Sequence, residues 1–226
     1  MLNTFSLNKK INLINEEKEL IASLQSIPVI AVLRPEISEL ENYSSEIKIF
    51  QVAEQLYKNG LIHIEIAWSN HPNWKLLIND LRSNFLNIKL GVASIKNIAS
   101  LNSVVELGLN YAMSPFIDEN LQKHAIDLDF ILIPGVLSPT EINLAIQTEC
   151  QLIKLFPASV LGINYLNHLK DPFNSLPFAI AAGGLSPKDI KPWLDNGYGA
   201  IAMGRKIISN SKIDKELINY LKVMKN

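Results

Sequence analysis

Apolar positions recur along this chain in two spacings that take turns. Short, nearly continuous apolar runs, bounded by Gly, Pro, Asn or charge, read as buried strands. They are Ile27–Leu33, Leu61–Ala67, Ile88–Val92, Tyr111–Met113, Phe130–Ile133, Leu152–Phe156, Phe178–Ala182 and Ala200–Met203. Between them the period lengthens to that of an amphipathic helix: Ser45–Asn59 closing at Gly60, Asn73–Arg82, Ile95–Leu107, a helix from Asp118 and one from Pro139. A helical stretch near Ile163–Leu169, a helix from Pro187 and a last one at Asp214–Val223 complete the series. Ahead of the first strand, Asn15 is placed to cap a helix with Glu16 and Glu17 in its first turn and Leu20, Ile21 and Leu24 on its buried stripe.

Roughly eight strands, nearly all followed by a helix, give the rhythm of a closed parallel barrel. The reading is an α/β chain with one (β/α)8 TIM barrel over residues 27–226, preceded by an extension and extra helix over residues 1–26. A doubly wound open sheet is second, since no Gly-x-Gly-x-x-Gly follows the first strand. Two segments echo each other, Pro134-Gly-Val-Leu-Ser138-Pro-Thr-Glu141 and Ala182-Gly-Gly-Leu-Ser186-Pro-Lys-Asp189. Each places Ser at the N-cap, Pro at the first helical position and an acid at the third, a capping box at a tight strand-to-helix turn.

The 226 residues, 48% hydrophobic and 19% charged, suffice for one domain with a large core, and no Pro-rich or Gly/Ser-rich linker divides them. A formal net charge of −1 gives no sign of a nucleic-acid or anionic-membrane partner. Met1–Lys10 lacks the apolar core of a signal peptide, and no apolar run approaches the length of a membrane span. A cytoplasmic protein is expected. The single cysteine, Cys150, excludes an internal disulfide and reads as a small buried hydrophobe.

Active-site groups of such a barrel sit at the C-terminal ends of its strands. Those ends supply Arg34, Glu65, Ser94, Ser114-Pro115, Lys154, Gly183-Gly184 and Gly204-Arg205. Lys154 stands out because burying an unpaired ammonium is costly. Two outcomes are physically reasonable. Either it reaches water or a carboxylate, or its pKa falls until the amine is neutral and nucleophilic. In Leu61-Ile-His-Ile-Glu-Ile-Ala67 the isoleucines share one face, so His63 and Glu65 point into the barrel when helices cover the other. Glu65 is then either half of an internal ion pair or a general acid/base with a raised pKa. His63, lying deeper, reads as a packed core histidine.

A neutral lysine attacks a substrate ketone and yields an iminium ion, an electron sink that lets the neighbouring C–C bond break. One carboxyl group serves the proton transfers. Lysine plus glutamate therefore suffices for a Schiff-base aldolase, with no cofactor and no metal. His63, His71, His124 and His168 are dispersed without ligand spacing. The glycines after the last two strands suit a phosphate cradle, to which Arg205 adds charge.

From about Ile27 onward the chain resembles the 2-keto-3-deoxy-6-phosphogluconate (KDPG) / 4-hydroxy-2-oxoglutarate (KHG) aldolases. The resemblance is carried in order by Pro28-Val-Ile-Ala-Val-Leu-Arg34, Ile64-Glu-Ile66, Gly91-Val-Ala-Ser94, Ala112-Met-Ser-Pro115, Ile133-Pro-Gly135, Ile153-Lys-Leu-Phe-Pro-Ala158, Ala182-Gly-Gly184 and Ile201-Ala-Met-Gly204. It implies a class I enzyme with Lys154 as the Schiff-base residue and Glu65 as acid/base. It further implies Pro115 beside the pyruvyl group, phosphate on Gly183 and Gly184, and a homotrimer. The implied substrate is a small phosphorylated keto acid, cleaved to pyruvate and glyceraldehyde 3-phosphate, with KHG as a second possibility. Several positions depart from the family pattern. Ser94 replaces a usual Thr, and Ser69 replaces the arginine that binds the substrate carboxylate, a role Arg34 can compensate. Gly204 replaces a phosphate-binding serine and Ser159 a glutamate. The departures motivate two alternatives: a catalytically weak barrel that binds a phosphorylated metabolite, and a phosphosugar isomerase-like barrel that has no need of Lys154.

Overall fold

The computed structural model describes residues 4–44, 46–209 and 212–224, the side chains of 4–10 and 209 excepted; the expected helix start at Ser45 and the first three residues of the N-terminal stretch fall outside it. Nine short strands form one all-parallel sheet: β1 (Val29–Leu33), β2 (His63–Ala67), β3 (Lys89–Ala93), β4 (Tyr111–Met113), β5 (Leu132–Ile133), β6 (Gly135–Val136), β7 (Leu152–Leu155), β8 (Phe178–Ala182) and β9 (Ala200–Met203). Their order, β5-β4-β3-β2-β1-β9-β8-β7-β6, begins and ends on segments separated only by Pro134. Those two are halves of one stave, so the sheet curls into a nearly closed barrel of eight. Pro134 lacks the N–H that would continue the ladder and splits the stave, but its carbonyl still accepts from Lys154 N at 2.8 Å.

Alternation along the strands sorts the core into two layers. Outward residues such as Val29, Ala31, Leu33, Ile64 and Ile66 pack under the helices, while Ile30, Tyr111, Met113, Ile133, Leu152 and Ile180 fill the barrel. Helix α1 (Thr4–Ser26) contributes Leu13, Leu20 and Leu24 to that inner cluster. It lies against the barrel's interior residues and anchors to His63, whose Nε2 is 3.0 Å from Ser23 Oγ. Asn15 is therefore not an N-cap. The stripe runs on through Leu13, and Asn15 sits mid-helix on the exposed face, where an asparagine costs little.

The expected helix over Ser45–Asn59 is shorter, Lys48–Lys58, and a separate turn of helix, Ile37–Glu41, precedes it. Glu39 explains the arrangement: one carboxylate oxygen accepts from Glu36 N at 2.9 Å and the other from Ile49 N at 3.0 Å, so one side chain serves the starts of both helices. Both Ser-Pro-x-acid turns form as expected. Ser138 N donates to Glu141 at 2.8 Å, and Ser186 N donates to Asp189 at 2.8 Å. The second heads a 3₁₀ turn, Pro187–Asp189, before helix Ile190–Asp195. Among the described residues no helix is long and apolar enough to cross a membrane.

Candidate active site

Glu65 and Lys154 come from strands on different parts of the barrel wall, β2 and β7, and both are buried, with 1% and 8% of their surface exposed. Alternation brings Glu65 inward, flanked in register by Val32 and Gly91; Lys154 lies between Gly135 and Ile180. The end of β2 is held by tryptophans. Trp74 Nε1 donates to Ala67 O at 2.9 Å, and its ring meets Trp68 edge-on at 4.8 Å.

Burial acts on the two groups in opposite directions. It raises the Glu65 carboxyl from 4.5 to about 7, against the pull of Lys154 and Arg34. It lowers the Lys154 ammonium from 10.5 to about 8, opposed by Glu65 and assisted by Arg34. Each therefore exchanges its proton near neutrality, and the two titrate as a pair. Glu65 Oε1 has no hydrogen-bond partner, so the carboxyl is not locked into a structural ion pair through both oxygens. Lys154 Nζ stands 5.3 Å from the centroid of the Phe156 ring, an apolar wall beside the amine. A protonation-competent amine and a protonation-competent carboxyl, both buried and acting electrostatically on each other, can carry addition to a carbonyl followed by proton shuttling.

The rest of the expected set lies at the strand ends, and of it Arg34 acts electrostatically on both groups. Arg34 projects past β1, and its Nη1 would lie 3.2 Å from a Cβ at Gly204, so the missing side chain at the end of β9 gives the guanidinium its place. Arg34, Gly204 and Arg205 line one cavity of about 400 Å³, together with Lys48 and Glu39. Ser94 follows β3 at φ 71°, a left-handed conformation that serine adopts at a cost of about 1–2 kcal/mol. Pro115 follows β4, and its carbonyl would be 2.5 Å from a Cβ at Gly135, so that glycine admits the Pro115 backbone close to the split stave.

Gly183 and Gly184 turn at φ 96° and 81°, where only glycine is at ease. The Phe156 ring and Ser159 Oγ press on the two Cα atoms, Ser159 N donates to Gly183 O at 3.1 Å, and Lys206 Nζ donates to Gly184 O. Ser159, which departs from the family pattern, thus packs directly on the turn. Ser69 Oγ accepts from His71 N at 3.2 Å and shapes the turn into helix Pro72–Asn84.

The nearly closed parallel barrel with its N-terminal helix has counterparts among solved structures. A family model described as KDPG and KHG aldolase covers residues 20–225. The chain belongs to that family. Its members are class I aldolases, hence lyases. Among relatives, 2-dehydro-3-deoxy-6-phosphogalactonate aldolase of Escherichia coli (strain K12) is 24% identical over 60% of this chain and 66% of its own length. The KHG/KDPG aldolase of the same organism is 31% identical over 46% of this chain and 49% of its own length. The matches thus span about two thirds and one half of those relatives. In three dimensions, KDPG aldolase from Legionella pneumophila, solved with pyruvate captured as a covalent carbinolamine, superposes with TM-score 0.71 at 23% identity, covering 87% of this chain and 91% of that one. That likeness establishes the barrel fold.

Two residues near the strand ends and barrel interior were missed from the sequence. Tyr111 is fully buried inside the barrel, and the exposed Lys206 reaches the glycine turn. The alternation in Tyr111-Ala-Met113 was a usable signal for the first, since it turns Tyr111 and Met113 to the same side. Nothing local marked Lys206. His63 is the packed core residue expected, wholly buried and lowered by that burial to about 4. Burial raises the Cys150 thiol, which suits a structural rather than a reactive cysteine. Among the described residues no three His, Cys, Asp or Glu side chains converge as a metal site.

Proposed function

We propose that this chain cleaves KDPG to pyruvate and glyceraldehyde 3-phosphate through a Schiff base on Lys154. The observation that carries the reading is the burial of Lys154 and Glu65 inside one barrel, where each acts on the other and burial displaces them in opposed directions. Neutral Lys154 Nζ adds to the substrate ketone, and loss of water gives the iminium. The Glu65 carboxylate takes the proton of the C4 hydroxyl as the C3–C4 bond breaks; its electron pair moves to the iminium nitrogen, leaving an enamine and free aldehyde. The Glu65 carboxyl then protonates the enamine carbon, and water releases pyruvate from Lys154.

Arg34 and Arg205 are assigned to the anionic ends of the substrate, with Ser94 and Pro115 beside the pyruvyl group. Gly183, Gly184 and Gly204 admit the phosphate by close backbone approach. The relatives' names divide between galactonate, gluconate and KHG substrates, which keeps KHG as the second reading. Assaying pyruvate release from each compound separates them: the largest kcat/KM is expected on KDPG, and no release from either refutes the aldolase reading. For the preferred substrate, kcat/KM should climb from pH 6 to about 8, because the amine must lose its proton before it attacks. A profile that falls over that range contradicts the neutral-amine step.

A further inference from the structure

Glu65, Gly91 and Tyr111 are register partners on β2, β3 and β4, so they stand at one height in the barrel wall. Gly91 leaves its inward position empty, and the tyrosine ring fills it. A Cβ at Gly91 would lie 2.5 Å from Tyr111 Cζ and 2.6 Å from its Cε2. The ring thus leans across β3 toward β2 and carries its hydroxyl to the side of the wall that bears Glu65. Tyr111 is wholly buried, and both its hydroxyl and Glu65 Oε1 lack a hydrogen-bond partner. A phenylalanine would fill the same space without an unsatisfied oxygen, so the hydroxyl calls for an explanation. The proximity is electrostatic as well: burial first, and the Glu65 charge after it, push the Tyr111 phenol well above its usual range, so it is a donor at working pH.

We infer that Tyr111 is a positioning residue for Glu65, its hydroxyl being the buried donor available to the unpartnered Oε1 and fixing the oxygen that exchanges a proton with the substrate-derived enamine. The inference rests on the aldolase reading above. The proton that moves is the carboxyl proton of Glu65: it goes to the enamine carbon as the nitrogen lone pair is restored to C=N, and Tyr111 keeps its own. Acting electrostatically with Glu65 are Lys154 from β7, Arg34 beyond β1 and Tyr111 from β4, while His63 lies two residues earlier on its own strand. His63 stays neutral above about pH 4, so it does not titrate in the range of interest. A donor to the ionised carboxyl lowers its pKa, and removing that donor raises it.

The test is Tyr111→Phe, read by exchange of the pyruvate methyl hydrogens for deuterium in D₂O at saturating pyruvate. That exchange needs the imine and Glu65 as base but no C–C cleavage. Borohydride trapping of pyruvate on Lys154 is run in parallel. The variant should trap pyruvate as well as the parent while the acid-limb midpoint of exchange moves up by about one pH unit. A purely packing role for the ring leaves the midpoint in place, which overturns the inference. Loss of trapping in the variant alone overturns it too, by placing the hydroxyl in imine formation. Loss of trapping in the parent refutes the aldolase reading instead.

Discussion

Lys154→Met is expected to lower aldol cleavage on the order of 10⁵-fold or more and, at neutral pH, to make the fold more stable. The first effect follows from removing the nucleophile, without which no iminium forms. The second follows from the burial that makes the amine reactive. Its pKa falls from 10.5 to about 8, so below about pH 8 the folded chain holds a charge that the unfolded chain holds at less cost. Methionine has similar length and no charge. Glu65, having lost a cation that held it ionised, takes up a proton, so neither position keeps an unpaired buried charge. The gain should be roughly 1–3 kcal/mol, several degrees in Tm for a chain of this size. Its pH dependence has a definite sign. The advantage of methionine is full below about pH 8 and shrinks from there toward 10.5, where the unfolded lysine also becomes neutral. Thermal denaturation at pH 7 and at pH 9.5 checks this, and a variant less stable than the parent at pH 7 contradicts the burial argument.

Glu65→Gln separates the proton transfers from the covalent step. Turnover should fall by about 10²–10⁴-fold, the usual contribution of a positioned acid/base, while pyruvate still forms an imine with Lys154. Because the Glu65 charge raises the Lys154 pKa, its removal should shift the amine further down, so imine trapping should reach half-maximum at lower pH than in the parent. Stability gives an independent reading. The folded-state pKa of Glu65 is raised from 4.5 to about 7, so the parent loses stability as pH rises through that window, and the Gln variant is spared that loss. A half-maximum that moves upward shows that the two groups are not in the electrostatic contact described.

Much of this site could be read from the sequence because strands impose a period of two. The isoleucines at 62, 64 and 66 gave the outward face, which left Glu65 facing inward, where it is 1% exposed. Lys154 was visible as a charge inside an apolar run. The strand-helix rhythm and the paired Ser-Pro-x-acid turns carried the barrel. What escaped depends on distance through space. Arg34 acts on both Lys154 and Glu65 by virtue of the room at Gly204, a residue far along the chain. Tyr111 reads as an ordinary strand-former until the register sets it beside Gly91. Asn15 failed as a cap because the stripe that decides α1 extends through Leu13, further toward the N-terminus than the nearest capping residue suggested. The split at Pro134 was marked by the proline itself, and only the pairing of β5 with β4 and β6 with β7 shows that one stave continues across it.

The central claim is that one amine, Lys154, is the electrophile-seeking group of this barrel. Incubating the protein with saturating pyruvate, reducing with borohydride and mapping the peptides by mass tests it most directly. The account predicts one modification, pyruvic acid less one oxygen, on the peptide that carries Lys154 and on no other. An unmodified Lys154 peptide, or an adduct on a different lysine, would contradict it.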